Sequence, residues 1–135
     1  TEIAIDLDTG TIKGGGADTD AMGEAAGNVQ VCKLTSAVFG NITEIRAVLL
    51  ETGADVTDID IEFGSSALTQ GGSPGTPVTT GLTVVGEDNS ASYDNASTLA
   101  DKFLYVCNGA GVSGNIQTQG KILIYIHGFE TPDDI

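Results

Sequence analysis

The chain has 135 residues and a mass of 13.7 kDa, which is one domain, 1–135, with no room for a second. Nineteen acidic residues against five basic ones give a net charge of −14 and a pI near 4.1, which would repel a phosphate backbone or an anionic membrane surface and so argues against both as partners. With 40% hydrophobic residues the chain can build a core, yet no apolar run approaches the roughly 18–20 residues that span a bilayer.

The hydrophobic period is two almost throughout. Ile3 to Asp8 alternates apolar with small or acidic residues, which predicts a half-buried strand ending in an Asp8-Thr9-Gly10 turn. No leader is expected ahead of it, since the chain opens at Thr1 directly into the strand pattern. Residues 11–27 then turn small, polar and glycine-rich, with Gly14-Gly15-Gly16, Gly23 and Gly27, and are read as a flexible excursion or arm. Asn28 to Phe39 follows as a strand with a bulge where Val31-Cys32 breaks alternation. Thr43 to Glu51 is a strong strand whose Val48-Leu49-Leu50 run predicts burial on both faces or a change of sheet.

Asp58 to Phe63 alternates cleanly, with Ile59, Ile61 and Phe63 inward and Asp58, Asp60 and Glu62 on a solvated face. Ser65 to Pro77 is a loop, Pro77 to Val85 a short strand, and Glu87 to Ser97 a polar connection. Asp101 to Cys107 and Lys121 to His127 complete the strands, joined by a glycine-rich segment, and 131–135 is a frayed acidic tail. Seven or eight strands, no long helix and no internal repeat predict an all-β chain, an antiparallel β-sandwich or jelly roll.

The chemical signals are thin. Cys32 and Cys107 both lie in apolar strand segments. They are expected as buried thiols, with a single bridge as the alternative, and neither has C-x-x-C or Cys/His spacing for zinc. Asp58, Asp60 and Glu62 share one strand face about 6.6–6.8 Å apart. A straight strand spreads such carboxylates instead of folding them around Ca²⁺, so no metal site is assigned. Asp6/Asp8 and Asp18/Asp20 are weaker pairs of the same kind. His127, the sole histidine, falls on the strand face opposite Ile122, Ile124 and Ile126, beside Tyr125 and Leu123, and has no G-x-S-x-G nucleophile to serve. It reads as an edge or interface histidine.

Gly109 to Gly114 copies a dinucleotide fingerprint but leads into a strand, not a helix, so no phosphate or cofactor site follows. Tyr93, Tyr105 and Tyr125 are scattered and tryptophan is absent, which is poor equipment for sugar stacking. Asn41-Ile42-Thr43 and Asn95-Ala96-Ser97 match the glycosylation acceptor pattern, as chance allows in so Asn-, Ser- and Thr-rich a chain.

Two family resemblances are visible. Leu49-Leu50-Glu51-Thr52-Gly53-Ala54 resembles the active-site turn of retropepsin-type aspartic proteases, and Asp8-Thr9-Gly10 echoes it. That chemistry needs two aspartates sharing one proton. Here Glu51 is one methylene too long, and the family's Gly-Arg-Asp landmark is missing, so no catalytic residue is assigned.

The second resemblance spans about residues 28–130. The strand Ile45 to Leu50, the alternating Asp58 to Gly64, a polar Gly/Pro loop and the closing Gly120-Lys121-Ile122-Leu123-Ile124-Tyr125-Ile126-His127-Gly128-Phe129 resemble the small β-sandwich virion proteins of tailed bacteriophages, the capsid decoration or cement type. The resemblance implies a non-enzymatic structural protein on the virion surface, made in the host cytoplasm. It also implies a closed homo-oligomer, commonly a trimer, seated on the major capsid protein lattice, with residues 11–27 as a candidate arm. A secreted acidic binding module for a glycan or protein, with or without calcium, is the alternative from another class.

Overall fold

The computed structural model describes residues 1–6, 30–51, 58–65, 77–85, 89–94, 96–108 and 119–130. The expected arm at 11–27, the Asp8-Thr9-Gly10 turn, the Asp18/Asp20 pair, the Gly109 to Gly114 segment and the 131–135 tail lie outside these residues. The described strands are β1 (Glu2–Asp6), β2 (Gln30–Lys33), β3 (Asn41–Glu51), β4 (Asp58–Gly64), β5 (Pro77–Val85), β6 (Asn89–Tyr93), β7 (Phe103–Asn108) and β8 (Lys121–Phe129).

They form two antiparallel four-stranded sheets, ordered β1-β8-β3-β6 and β2-β7-β4-β5. The pairing is nested: β1 with β8, β2 with β7, β3 with β6, and β4 with β5. A chain that pairs its two halves in this order, and then rolls the doubled ribbon into two facing layers, makes a jelly roll. The all-β sandwich expected from the period-two pattern is therefore the observed architecture.

The core lies between the sheets. Ile45, Ala47 and Leu49 of β3 and Ile122, Ile124 and Ile126 of β8 meet Ile59, Ile61 and Phe63 of β4 and Leu104 and Val106 of β7. The Phe63 ring packs tilted against Tyr93 with centroids 5.6 Å apart. Each fully buried side chain of this size contributes roughly 1.5–3 kcal/mol relative to exposure.

Three local expectations need correction. The predicted strand Asn28 to Phe39 is split. Among the described residues β2 covers Gln30–Lys33, with the bulge between Gln30 and Cys32, and Ser36–Phe39 forms a single helical turn, α1. The chain changes sheet here. Leu34 is fully buried at the corner, where its N–H donates to the Lys102 carbonyl and its own carbonyl accepts from Asp101 N–H, both at 2.8 Å. Val38 and Phe39 are strand-forming residues by type, but Gly40, at φ 65°, closes the turn by donating to the Ser36 carbonyl at 2.9 Å.

Next, Val48-Leu49-Leu50 is not buried on both faces. β3 keeps one core face, and the register slips between Leu49 and Glu51, so Leu50 is the extra residue of a bulge and is 43% exposed. A second slip between Ile42 and Glu44 moves the inward phase from Ile42 to Ile45.

Finally, the polar connection Glu87 to Ser97 contains β6, which pairs with β3 from Ile45↔Tyr93 to Leu49↔Asn89. Ala91 and Tyr93 alternate, half-buried against the core, but the Asn and Ser around them mask the pattern.

Candidate functional site

Three surfaces carry the residues singled out from the sequence. The first is the outer face of the sheet β1-β8-β3-β6. The inward isoleucines of β8 put Lys121, Leu123, Tyr125 and His127 on the opposite side. Register aligns them with Glu51, Val48, Arg46 and Glu44 of β3. Glu2, Ala4 and Asp6 flank β8, and Ser90 and Ser92 flank β3.

Lys121 Nζ donates to Glu51 Oε2 at 3.0 Å and Arg46 Nη2 donates to Ser90 Oγ at 3.3 Å. Partly exposed pairs of this kind are worth about 0–1 kcal/mol, so they order the face more than they stabilise the fold. The Tyr125 and His127 rings stack with centroids 6.4 Å apart. His127 lies on the expected side of its strand, but β8 is an interior strand of its sheet, not an edge. Glu51, the residue in the protease-like turn, is engaged by Lys121, and the second element of that resemblance, Asp8, lies outside the described residues.

The second surface is a shallow cleft of about 480 Å³ at one end of this sheet, lined by Thr1, Phe39, Thr43, His127, Phe129 and Glu130 among others. Val38 and Phe129 border it at 69% and 56% exposure. The N-terminal ammonium donates to the Ile126 carbonyl and the Ile126 N–H to the Thr1 carbonyl, each at 2.8 Å, which prolongs the β1–β8 ladder to the chain end. The Thr43 hydroxyl donates to the His127 carbonyl at 3.3 Å, so its proton is directed at backbone and not at the imidazole. No serine or cysteine borders the cleft among the described residues.

The third surface overturns an expectation. Asp60 and Glu62 do lie on the face of β4 opposite Ile59, Ile61 and Phe63, but that face is not solvated. They are only 5% and 6% exposed. Their register partners on β7 are Cys107 and Tyr105, both fully buried, with Phe103 packed beside them. Alternation assigns a side chain to one side of a sheet, but it does not say whether that side meets water. Buried carboxylates are costly unless engaged, and all four of these residues have interaction partners. Asp58, the third member of the run, begins β4, and its side chain lies outside the described residues. Among the described residues no group of three or more His, Cys, Asp or Glu side chains is arranged to hold a metal ion.

Both cysteines are free thiols. Cys32 pairs across β2–β7 with Leu104, an inward residue, and packs against the core between the sheets. Cys107 belongs to the opposite face with Tyr105. A sheet therefore separates the two sulfurs, and the alternative of a bridge does not arise. Cys107 is buried as expected, whereas Cys32 is half-buried.

Burial raises the Cys32 thiol above its ordinary range. Burial, then the neighbouring Cys107, raises the Tyr105 phenol. An acid whose pKa is raised by folding binds its proton more tightly in the native state. Its contribution is complete below the ordinary pKa and is lost as pH climbs towards the native value. Thermal stability is thus expected to decline with alkalinity, starting where an unfolded thiol ionises, about pH 8.5, and again where a free phenol does, about pH 10. Melting temperatures recorded from pH 7.5 to 10.5 check this. Cys32→Ala should flatten the first decline, and a parent profile level across the range contradicts the assignment.

No protein-family model, no curated protein and no solved structure matches the chain.

Proposed function

We propose that the chain is a non-enzymatic virion structural protein, a capsid decoration protein that reinforces a phage head as a closed homo-oligomer on the capsid surface. The observation that carries this reading is a small jelly roll that turns the outer face of the sheet β1-β8-β3-β6 away from the core, among the described residues. Tyr125, Leu123 and Val48 run along its centre with charges on either side. A flat, mixed surface of this kind suits protein–protein contact. The net charge of −14 agrees with it, because an acidic outer surface keeps such a protein soluble while directing it to neutral or basic lattice surfaces.

The test is co-sedimentation with shells assembled from the major capsid protein encoded in the same genome. Saturable binding at a fixed ratio to lattice subunits, with a higher shell melting temperature, is the expected result. Absence of binding to expanded shells overturns the reading.

The secreted binding module keeps one specific support, since jelly rolls are also the architecture of lectin domains. It predicts chelator-sensitive stability or glycan-array binding in place of shell binding.

A further inference from the structure

We propose that the outer face of the sheet β1-β8-β3-β6 is a self-complementary interface that binds the same face of a second copy. The two-fold axis would run parallel to the strands, between β8 and β3. The basis is strand register. In four successive rows β8 and β3 set His127 beside Glu44, Tyr125 beside Arg46, Leu123 beside Val48, and Lys121 beside Glu51. A two-fold along the strands exchanges the two columns when a second sheet is laid on the first.

Every row then matches. The imidazole lies over a carboxylate, the phenol ring over a guanidinium, leucine over valine, and the ammonium over a carboxylate. The flanking strands obey the same operation, with Glu2 over Ser92 and Ala4 over Ser90 of the second copy. The other two-fold available to stacked sheets, across the strands and through the Leu123–Val48 row, would place Arg46 over Glu51 but also Glu2 over Asp6, pairing opposite charges on one strand and like charges on another. Complementarity along all four rows therefore points to a second copy as the occupant and favours the axis along the strands.

The electrostatics of the whole chain favour this face over the rest. It carries Arg46 and Lys121 against Glu2, Asp6, Glu44 and Glu51, so only −2 of the total −14 resides here. Its apolar centre is already half-desolvated, since Val48, Leu123 and Tyr125 are each partly buried in the single chain. Sheets that stack in this way sit about 10 Å apart. Four strands at about 4.8 Å spacing make a small footprint, so micromolar association is expected and not an obligate dimer. The pairing rests on this face alone and not on a capsid role. Sedimentation of the isolated chain tests it separately from shell binding.

Sedimentation velocity of the full chain between about 2 and 200 µM is the experiment. The expected result is a concentration-dependent shift from 13.7 kDa to twice that mass. Leu123→Glu, which sets a carboxylate over Val48 of the second copy, should weaken association at least ~30-fold, as loss of a central contact does. Arg46→Glu, at an exposed position where folding is undisturbed, should weaken it as well. Lys33→Glu makes the same change in net charge on the other sheet and should leave association within about twofold of the parent. A monomer at every concentration, a trimer, or variants at 123 and 46 that associate like the parent would overturn the proposal.

Discussion

Gly128→Ala is expected to cost about 2–4 kcal/mol of folding stability, and Gly40→Ala at least as much. The two glycines face each other across the point where α1 hands over to β3 beside the end of β8. A Cβ on Gly128 would stand 2.4 Å from the Phe39 carbonyl oxygen and 3.0 Å from that of Asn41. A Cβ on Gly40 would stand 2.4 Å from the Phe129 carbonyl oxygen, and Gly40 also holds φ 65° and ψ −151°, which side chains with a Cβ avoid. The obstructing atoms are backbone, so no rotamer change relieves them. Relief would require parting β8 from the turn that carries the chain between sheets. Urea denaturation measures the effect. The double variant should lose less than the two singles together, because both disrupt one contact. If Gly128→Ala unfolds within about 0.5 kcal/mol of the parent, the close approach is refuted.

Phe63→Ala is expected to destabilise by about 3–5 kcal/mol, against about 0.5 kcal/mol for Phe129→Ala. The residue type is the same, but the environments differ. Phe63 is fully buried near the end of β4 and packs on Tyr93 from the opposite sheet, so its loss opens a cavity that both layers would have to close. Phe129 ends β8 at 56% exposure beside the shallow cleft. Melting temperatures of the two variants, taken side by side, read the contrast. Equal losses would mean that the inward phase of β4 is misassigned.

That inward phase is legible in the order of residues. Ile59, Ile61 and Phe63 alternate with acids, Ile122, Ile124 and Ile126 alternate with Lys121, Leu123, Tyr125 and His127, and in both runs the alternating Ile and Phe positions are buried. β5 has the bounds the sequence predicts, Pro77–Val85, and the bulge at Val31-Cys32 is present in the β2–β7 register. The failures share a cause. β6 is hidden because Asn, Ser and Ala resemble a connection until β3 offers them a ladder. The helical turn at Ser36–Phe39 is hidden because Val and Phe favour strands and only a closing glycine in an unusual conformation reverses them. Leu50 reads as buried because a bulge, not the hydrophobic pattern, decides where the next side chain points.

The candidate site shows the same division. That His127, Tyr125 and Leu123 share a face follows from the period of a strand. That Glu44, Arg46, Val48 and Glu51 stand beside them depends on pairing between strands about seventy or more residues apart, with two register slips in between.

The sequence alone determined the layer class and the sides of β4 and β8 that face the core. These are local consequences of alternation and composition. Tertiary structure alone decided the nested strand order, the separation of Cys32 from Cys107 by a sheet, and the burial of Asp60 and Glu62 beside Tyr105 and Cys107. Each of these depends on which distant segment lies alongside or above a strand. A period of two carries the direction of a side chain but no information about its neighbour.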